Sequence, residues 1–375
     1  MRDWLRRLVV FQTVSGSASN LDLIEHIDER LRSIDFDTRL TRSADGRRAN
    51  LLASIGGSDG GLLLAGHTDV VPVEGQAWSR PAFSVSEDDD HFYGRGVCDM
   101  KGYLACVLAA VEAIDLKRLQ EPLHLAFTYD EEIGCVGVRD LLRDMANAGI
   151  KPASCMVGEP TQMKVVRAHK GRHAYRCHVL GRAAHSSFSG TGVNALEVAC
   201  RLATHIADEA ESLMSAVRDE GFYVPYSTMA SCRMQSGHVS NAIPESAEFD
   251  FDLRYLPQSD PDSILASLRT TAARLESSMR AKVPTSAVTI KQRTAVPALV
   301  PSPASAPVLR RALAAGASAG EHVAFTTEGG LYQTAGMATV ICGPGNIAQA
   351  HTADEFIAKS QLTACEHFLH ALLLP

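Results

Sequence analysis

The sequence predicts an α/β protein in which a mixed sheet covered by helices is interrupted by an inserted ferredoxin-like α+β domain. Three observations carry that reading. Short apolar runs alternate with helical patterns through the first part of the chain, the element order changes to βαββαβ after about Arg172, and α/β character returns behind a proline-rich stretch. At 375 residues the chain also exceeds what one hydrophobic core usually supports. One discontinuous domain, residues 1–172 plus 293–375, therefore surrounds a second, residues 173–292.

In the first domain the pattern predicts a helix over 20–34, a strand around Asn50–Ile55 and a buried run at Gly61-Leu62-Leu63-Leu64-Ala65-Gly66. A helix over roughly 101–116 and the apolar runs Leu123–Thr128 and Ser154–Val157 follow. Runs this short and this continuously apolar suit strands covered on both faces. The inserted domain reads as strand 173–180, helix 193–215, strands 227–236 and 246–255, helix 260–279 and strand 286–292. Residues 294–303, with Pro297, Pro301 and Pro303, read as a return linker. A helix near 305–316, the strand Thr339–Cys342 and a terminal helix over 359–373 complete the fold.

Composition narrows the function. The chain is 46% hydrophobic and 21% charged, an ordinary globular mix, and its formal charge of -7 argues against a polyanion-binding face. Nucleic acid is therefore not an expected partner. The only apolar run near the start, Leu8 to Phe11, is too short for a signal-peptide core or a membrane span, so a cytoplasmic protein with no membrane partner is expected. The nine cysteines are scattered without paired metal spacing and read as reduced packing residues.

Five short segments carry the chemistry. Gly66-His67-Thr68-Asp69 puts an imidazole and a carboxylate at a strand end, where ligand sites of such sheets gather. Alone, the pair reads equally as a turn with a capping aspartate. Asp99 stands near a helix start in the glycine-rich Gly94–Gly102 stretch, which has neither the Lys-Ser/Thr spacing of a phosphate loop nor the dinucleotide fingerprint. Asp130-Glu131-Glu132 gathers three carboxylates behind an apolar strand, where like charges repel unless a cation compensates. Glu159 follows another buried strand, and a glycine-rich turn delivers His351. Histidines and carboxylates that each stand just past an apolar strand of one domain make independent coincidence a poor explanation.

In this order the segments resemble the M20 family of metallopeptidases and deacylases, over nearly the whole chain. Within it, Leu62 through Asp69, Val166 through Gly171, Phe325-Thr326-Thr327-Glu328 and Gly343 through His351 are most similar to the acetylornithine-deacetylating branch, with desuccinylases as near relatives. The resemblance implies two divalent metal ions, zinc first and cobalt or manganese as alternatives. Their ligands would be His67 and Glu159 on one ion, Glu132 and His351 on the other, and Asp99 bridging. It implies Glu131 as general base, Asp69 orienting His67, and a cis peptide at Asp99–Met100. It makes the inserted domain a lid and homodimerisation domain whose His185 stabilises the oxyanion. Asn241, Arg254 and Thr327 would contact a small N-acyl amino-acid substrate, N-acetyl-ornithine of arginine biosynthesis foremost. A desuccinylase, aminoacylase or dipeptidase would use the same metals, and a non-catalytic metal-binding protein is the distant alternative. Gly329-Gly330 and Cys135 depart from the branch pattern and bear on the substrate.

Overall fold

The computed structural model describes residues 1–374. It divides into two compact units, Met1–His169 with Leu299–His322 and Thr327–Pro375, and Lys170–Ala298 with Val323–Thr326.

The first unit is built on a six-stranded mixed sheet in the order Asp37–Arg42, Ala49–Ile55, Leu123–Thr128, Leu62–His67, Ser154–Val157, Ala338–Ile341. The first three strands join antiparallel, and the remaining pairs are parallel. Leu62–His67 and Leu123–Thr128 are buried at every position, as central strands covered on both faces must be. The helix Lys101–Ala113 is buried nearly all round, and it packs against Arg2–Val10 and Lys359–Leu373. The run read only as an apolar stretch, Leu8 to Phe11, is largely the end of the amphipathic helix Arg2–Val10, which buries Trp4, Leu5, Leu8 and Val9. Among the described residues no helix is long and apolar enough to cross a membrane.

The second unit carries the βαββαβ order in an antiparallel sheet, Thr228–Ser236, Ser246–Tyr255, Gly171–Leu180, Ala287–Val296. This is the strand order of a ferredoxin-like unit. Helices Ala195–Met214 and Pro261–Arg280 are capped by Asn194, which accepts from Glu197 N, and by Asp260, which accepts from Asp262 N and Ser263 N. Tyr175 stacks on Phe251 at a ring separation of 5.0 Å inside its core.

Several elements differ from expectation. The last inserted strand runs to Val296 instead of 292, because a register shift between Gln292 and Thr294 lets pairing resume beyond the irregularity. Thr294–Val296 therefore belong to the sheet and not to the linker. The helix from Lys101 stops at Ala113, and Asp115 caps a separate turn at Leu116–Arg118. The strand Asp37–Arg42 and the helix Gly137–Ala148, closed by Gly149 at φ +70°, were not anticipated.

Candidate metal centre

Parallel strands explain why distant segments meet. Leu62–His67, Leu123–Thr128, Ser154–Val157 and Ala338–Ile341 run in one direction, so the chain that leaves each of them emerges on the same side. His67 ends the first of these strands, Glu131 and Glu132 follow the second, Glu159 follows the third, and His351 arrives behind the fourth. Asp99 comes in from the side, where the Gly94–Cys98 turn enters the helix Lys101–Ala113, and the Asp99–Met100 peptide is cis.

Asp99 stands at the middle. Its Oδ1 lies 3.1 Å from His67 Nε2 and its Oδ2 lies 3.1 Å from His351 Nε2. Glu159 Oε1 is 4.0 Å from His67 Nε2, and Glu132 Oε1 is 3.0 Å from His351 Nε2. Two groups result, His67, Asp99, Glu159 and Asp99, Glu132, His351, each with its donor atoms within 4.8 Å of one another. The donors are imidazole nitrogens and carboxylate oxygens, and the shared carboxylate offers one oxygen to each group, which is the chemistry a pair of divalent ions needs.

The electrostatics point the same way. Burial, and then the charges of Asp99 and Glu131, push the Glu159 carboxyl well up. Burial does the same to Glu131, with Glu132, Glu328 and Asp69 adding to it against the opposing pull of His67. Burial and Asp99 also raise Glu132, against its hydrogen bond with His351. Hydrogen bonds to Asp99 and Glu132 lift His351 to about 10, against burial. Burial alone would lower His67, but Asp99 and Asp69 carry it well above its usual range. So much enclosed negative charge is relieved by protons in the bare site and by cations in a loaded one.

Local geometry aims these side chains. His67 Nδ1 is 2.9 Å from the main-chain oxygen of Asp69, which leaves Nε2 to face Asp99. The Asp69 carboxylate stands farther from that nitrogen, at 3.6 Å. It accepts instead from Glu131 N at 3.1 Å, Glu132 N at 3.3 Å and Ser15 Oγ at 2.7 Å. Asp69 thus meets His67 Nδ1 through its carbonyl and the Glu131–Glu132 main chain through its carboxylate. Adjacent residues of a strand point to opposite faces, but the strand ends at Thr128 and the chain turns through Asp130 at φ +54° and Gly134 at φ +119°. Glu131 and Glu132 are thereby freed from that alternation.

The remaining expected residues stand on other elements. His185 is exposed on a two-residue strand paired with Ala242–Ile243, its Nδ1 2.7 Å from Ser187 Oγ. Asn241 is exposed on the same ribbon, and its carbonyl accepts from Ser186 N at 3.0 Å. Arg254 is half-buried and donates to Asp252 Oδ1 at 2.8 Å and to Thr326 Oγ1 at 3.2 Å. Thr327 is buried, with its hydroxyl accepting from Gly329 N at 3.0 Å at the start of the short helix Gly329–Thr334.

Two buried acids have no role assigned by the sequence reading, although Glu328 lies within one of its motifs. Glu328 is buried with its Oε1 lacking a hydrogen-bond partner, and burial pushes its carboxyl up to about 7. Glu355 accepts from Gly96 N, Cys98 N and Asp99 N. A lone acid four places past a histidine carries no signal of that kind, since three of its partners are main-chain N–H groups and the fourth, Arg95, is distant in sequence.

The sequence profile of peptidase family M20/M25/M40 matches residues 63–374. The chain is 34% identical over 362 residues to a Pasteurella multocida protein named acetylornithine deacetylase, covering 95% of this chain and 91% of that one. It is 31% identical over 364 residues to an Aliivibrio fischeri protein of the same name, covering 96% and 94%. Among solved structures, an M20 family metallo-carboxypeptidase from Sulfolobus solfataricus superposes with a TM-score of 0.75 at 18% identity, over 99% of this chain and 97% of that one. A dinuclear metal-binding M20 peptidase from Bacillus subtilis does so at 0.68 and 14% identity, over 100% and 96%.

Proposed function

The chain belongs to peptidase family M20/M25/M40 and is a metal-dependent amide hydrolase; from that premise we propose that it removes an N-acetyl group from an amino acid, with N-acetyl-ornithine preferred. The observation that carries the reading is Asp99, whose two oxygens each stand 3.1 Å from a different histidine. Relatives named acetylornithine deacetylase, matched over more than nine-tenths of this chain, support the choice of substrate.

His67 and Glu159 would hold one ion and Glu132 and His351 the other, with Asp99 shared by both groups. Zinc suits the nitrogen and carboxylate donors, with cobalt or manganese able to replace it. Bound there, two divalent ions supply Lewis-acid polarisation of the scissile carbonyl and acidify the attacking water.

The protein's own groups do the rest. Glu131 takes the proton of the attacking water and returns it to the amide nitrogen, so that the C–N bond breaks to give a carboxylic acid and a free amine. Enclosure among other acids keeps its carboxyl basic enough for that exchange. His185 donates a hydrogen bond to the developing oxyanion. Asn241 and Arg254 bind the substrate carboxylate, and Thr327 is a further contact to the substrate. The inserted unit serves as lid and homodimer interface, and the exposed edge strand Thr228–Ser236 suits pairing with a second copy. The reaction belongs to arginine biosynthesis in the cytoplasm.

The test is to strip the purified protein of metal, reload it with Zn²⁺ or Co²⁺, and compare hydrolysis of N-acetyl-ornithine, other N-acetyl amino acids, N-succinyl-diaminopimelate and dipeptides. The highest kcat/KM is expected on N-acetyl-ornithine. Preference for another amide overturns the substrate assignment, and turnover that survives metal removal overturns the mechanism.

A further inference from the structure

Glu355 has no accessible surface, and its carboxylate is enclosed by donors from one loop. Oε1 accepts from the main-chain N–H groups of Gly96, Cys98 and Asp99 at 3.0, 2.9 and 3.1 Å. Oε2 accepts from the buried Arg95 Nη1 at 2.7 Å. Converging main-chain N–H groups form an anion-binding nest, and here the anion is a side chain of the protein itself. The residues that make the nest lead straight into Asp99.

The connection continues from Arg95. Its Nη2 donates to Gln76 Oε1 at 2.5 Å, and Gln76 Nε2 donates to the main-chain oxygen of His351 at 2.9 Å. His351 needs an external hold, because it sits at φ +61°, a region that residues with a Cβ adopt at a cost. Main-chain pairing binds the same two stretches again, through Gly94 N to Glu355 O at 3.0 Å and through the strand pair His91–Tyr93 with Phe356–Ala358.

We infer that Glu355 is a positioning residue for the metal pair: one carboxylate fixes the main chain that carries Asp99 and, through Arg95 and Gln76, the main chain that carries His351. This rests on the two-metal reading of the site. Glu355 belongs to neither ligand group and acts only by setting where two ligands stand. Groups that orient ligands in this way commonly change metal affinity about ten- to a hundredfold when altered. The two links of the network also differ in reach. Asp99 belongs to both ligand groups and His351 to one, so the Glu355 end governs both ions and the Gln76 end governs one.

The experiment titrates metal-stripped wild type, Glu355→Gln and Gln76→Ala with Zn²⁺ by calorimetry, and follows Co²⁺ uptake by its visible absorption. Glu355→Gln is expected to weaken both binding steps by about ten- to a hundredfold. Gln76→Ala, at a partly exposed residue, is expected to weaken one step and leave the other and the unfolding temperature of the metal-free protein unchanged. Excess metal should restore kcat in both variants with KM unaltered. Wild-type affinity at both steps in both variants overturns the role of Glu355. Should Glu355→Gln fail to fold, Gln76→Ala decides: a loss confined to one step supports the network, and no loss overturns it. Failure of the wild type to take up two ions overturns the two-metal reading itself and this inference with it.

Discussion

The Cys135 thiol lies 3.4 Å from Glu131 Oε1, positioned to donate to the carboxylate proposed as general base. Cys135 is buried and held at φ +53°, where the chain turns back after the acidic triplet. Serine at this position would donate a stronger hydrogen bond to the ionised form of Glu131 and so lower its pKa. Cys135→Ser is therefore expected to move the acidic limb of the kcat/KM profile to lower pH, and Cys135→Ala to move it upward. Profiles of both variants that overlay the wild type would remove the thiol from any part in tuning Glu131.

Glu131 itself should matter far more. Glu131→Ala removes the proton acceptor and leaves the proposed ligands His67, Asp99, Glu132, Glu159 and His351 in place. Turnover is expected to fall by about 10²- to 10⁴-fold. Metal content, measured by elemental analysis, should stay at two ions per chain. Loss of an ion along with activity would reassign Glu131 to the ligands.

His185 offers a separate test because it stands in the other compact unit, exposed at its two-residue strand. His185→Ala is expected to lower kcat by about 10²- to 10³-fold, the range for removing one oxyanion donor, with unchanged metal binding. Unchanged kcat would end that assignment.

The same contrast between side-chain and main-chain signals governs how legible this protein is from its sequence. Leu123–Thr128, Ser154–Val157 and Lys359–Leu373 stand where periodicity puts them, because each is a clean apolar run or helical repeat. The groups around Asp99 were readable because strand ends carry their side chains to one place. Asp37–Arg42 was not, since Asp37-Thr38-Arg39-Leu40-Thr41-Arg42 holds a single apolar residue and pairs at the sheet edge. Glu355 and Gln76 work on main-chain groups and on Arg95, far away in sequence, and such partners leave no mark in the residue pattern. The Thr327 hydroxyl accepts from Gly329 N, a contact that the residue pattern does not mark.

His124 gives a pH test away from the site. It is buried on the strand Leu123–Thr128, with Nδ1 2.8 Å from Ser54 Oγ and Nε2 3.2 Å from Gly60 O. Burial lowers its pKa below the usual 6.5, against the bond to Gly60. The folded state thus holds a proton less tightly than the unfolded state. Its stabilising contribution is present above pH 6.5 and is lost as pH falls from there through the depressed folded value. His124→Asn should cost about 1–2 kcal/mol at neutral pH through weakened hydrogen bonds. The difference in Tm between wild type and variant should shrink on acidification. A constant gap would show that His124 does not titrate on unfolding.

Metal removal reverses the sign of the site's pH dependence. In the bare site Glu131, Glu159 and Glu132 are raised by burial first, and His351 is raised to about 10 by its hydrogen bonds to Asp99 and Glu132. A raised folded pKa means that the folded state holds protons more tightly. That contribution is complete below the unfolded pKa and disappears as pH rises through the folded one. The metal-free protein should therefore lose stability as pH climbs from the carboxylate range toward 10. Divalent ions need those same groups deprotonated, so their binding strengthens over the same interval. Each bound ion adds about 3 kcal/mol when its free concentration is about a hundred times Kd. The gap in Tm between zinc-loaded and chelator-treated protein should accordingly widen between about pH 6 and about pH 8. A gap that stays flat or narrows would mean that the cluster around Asp99 is not where the ions bind.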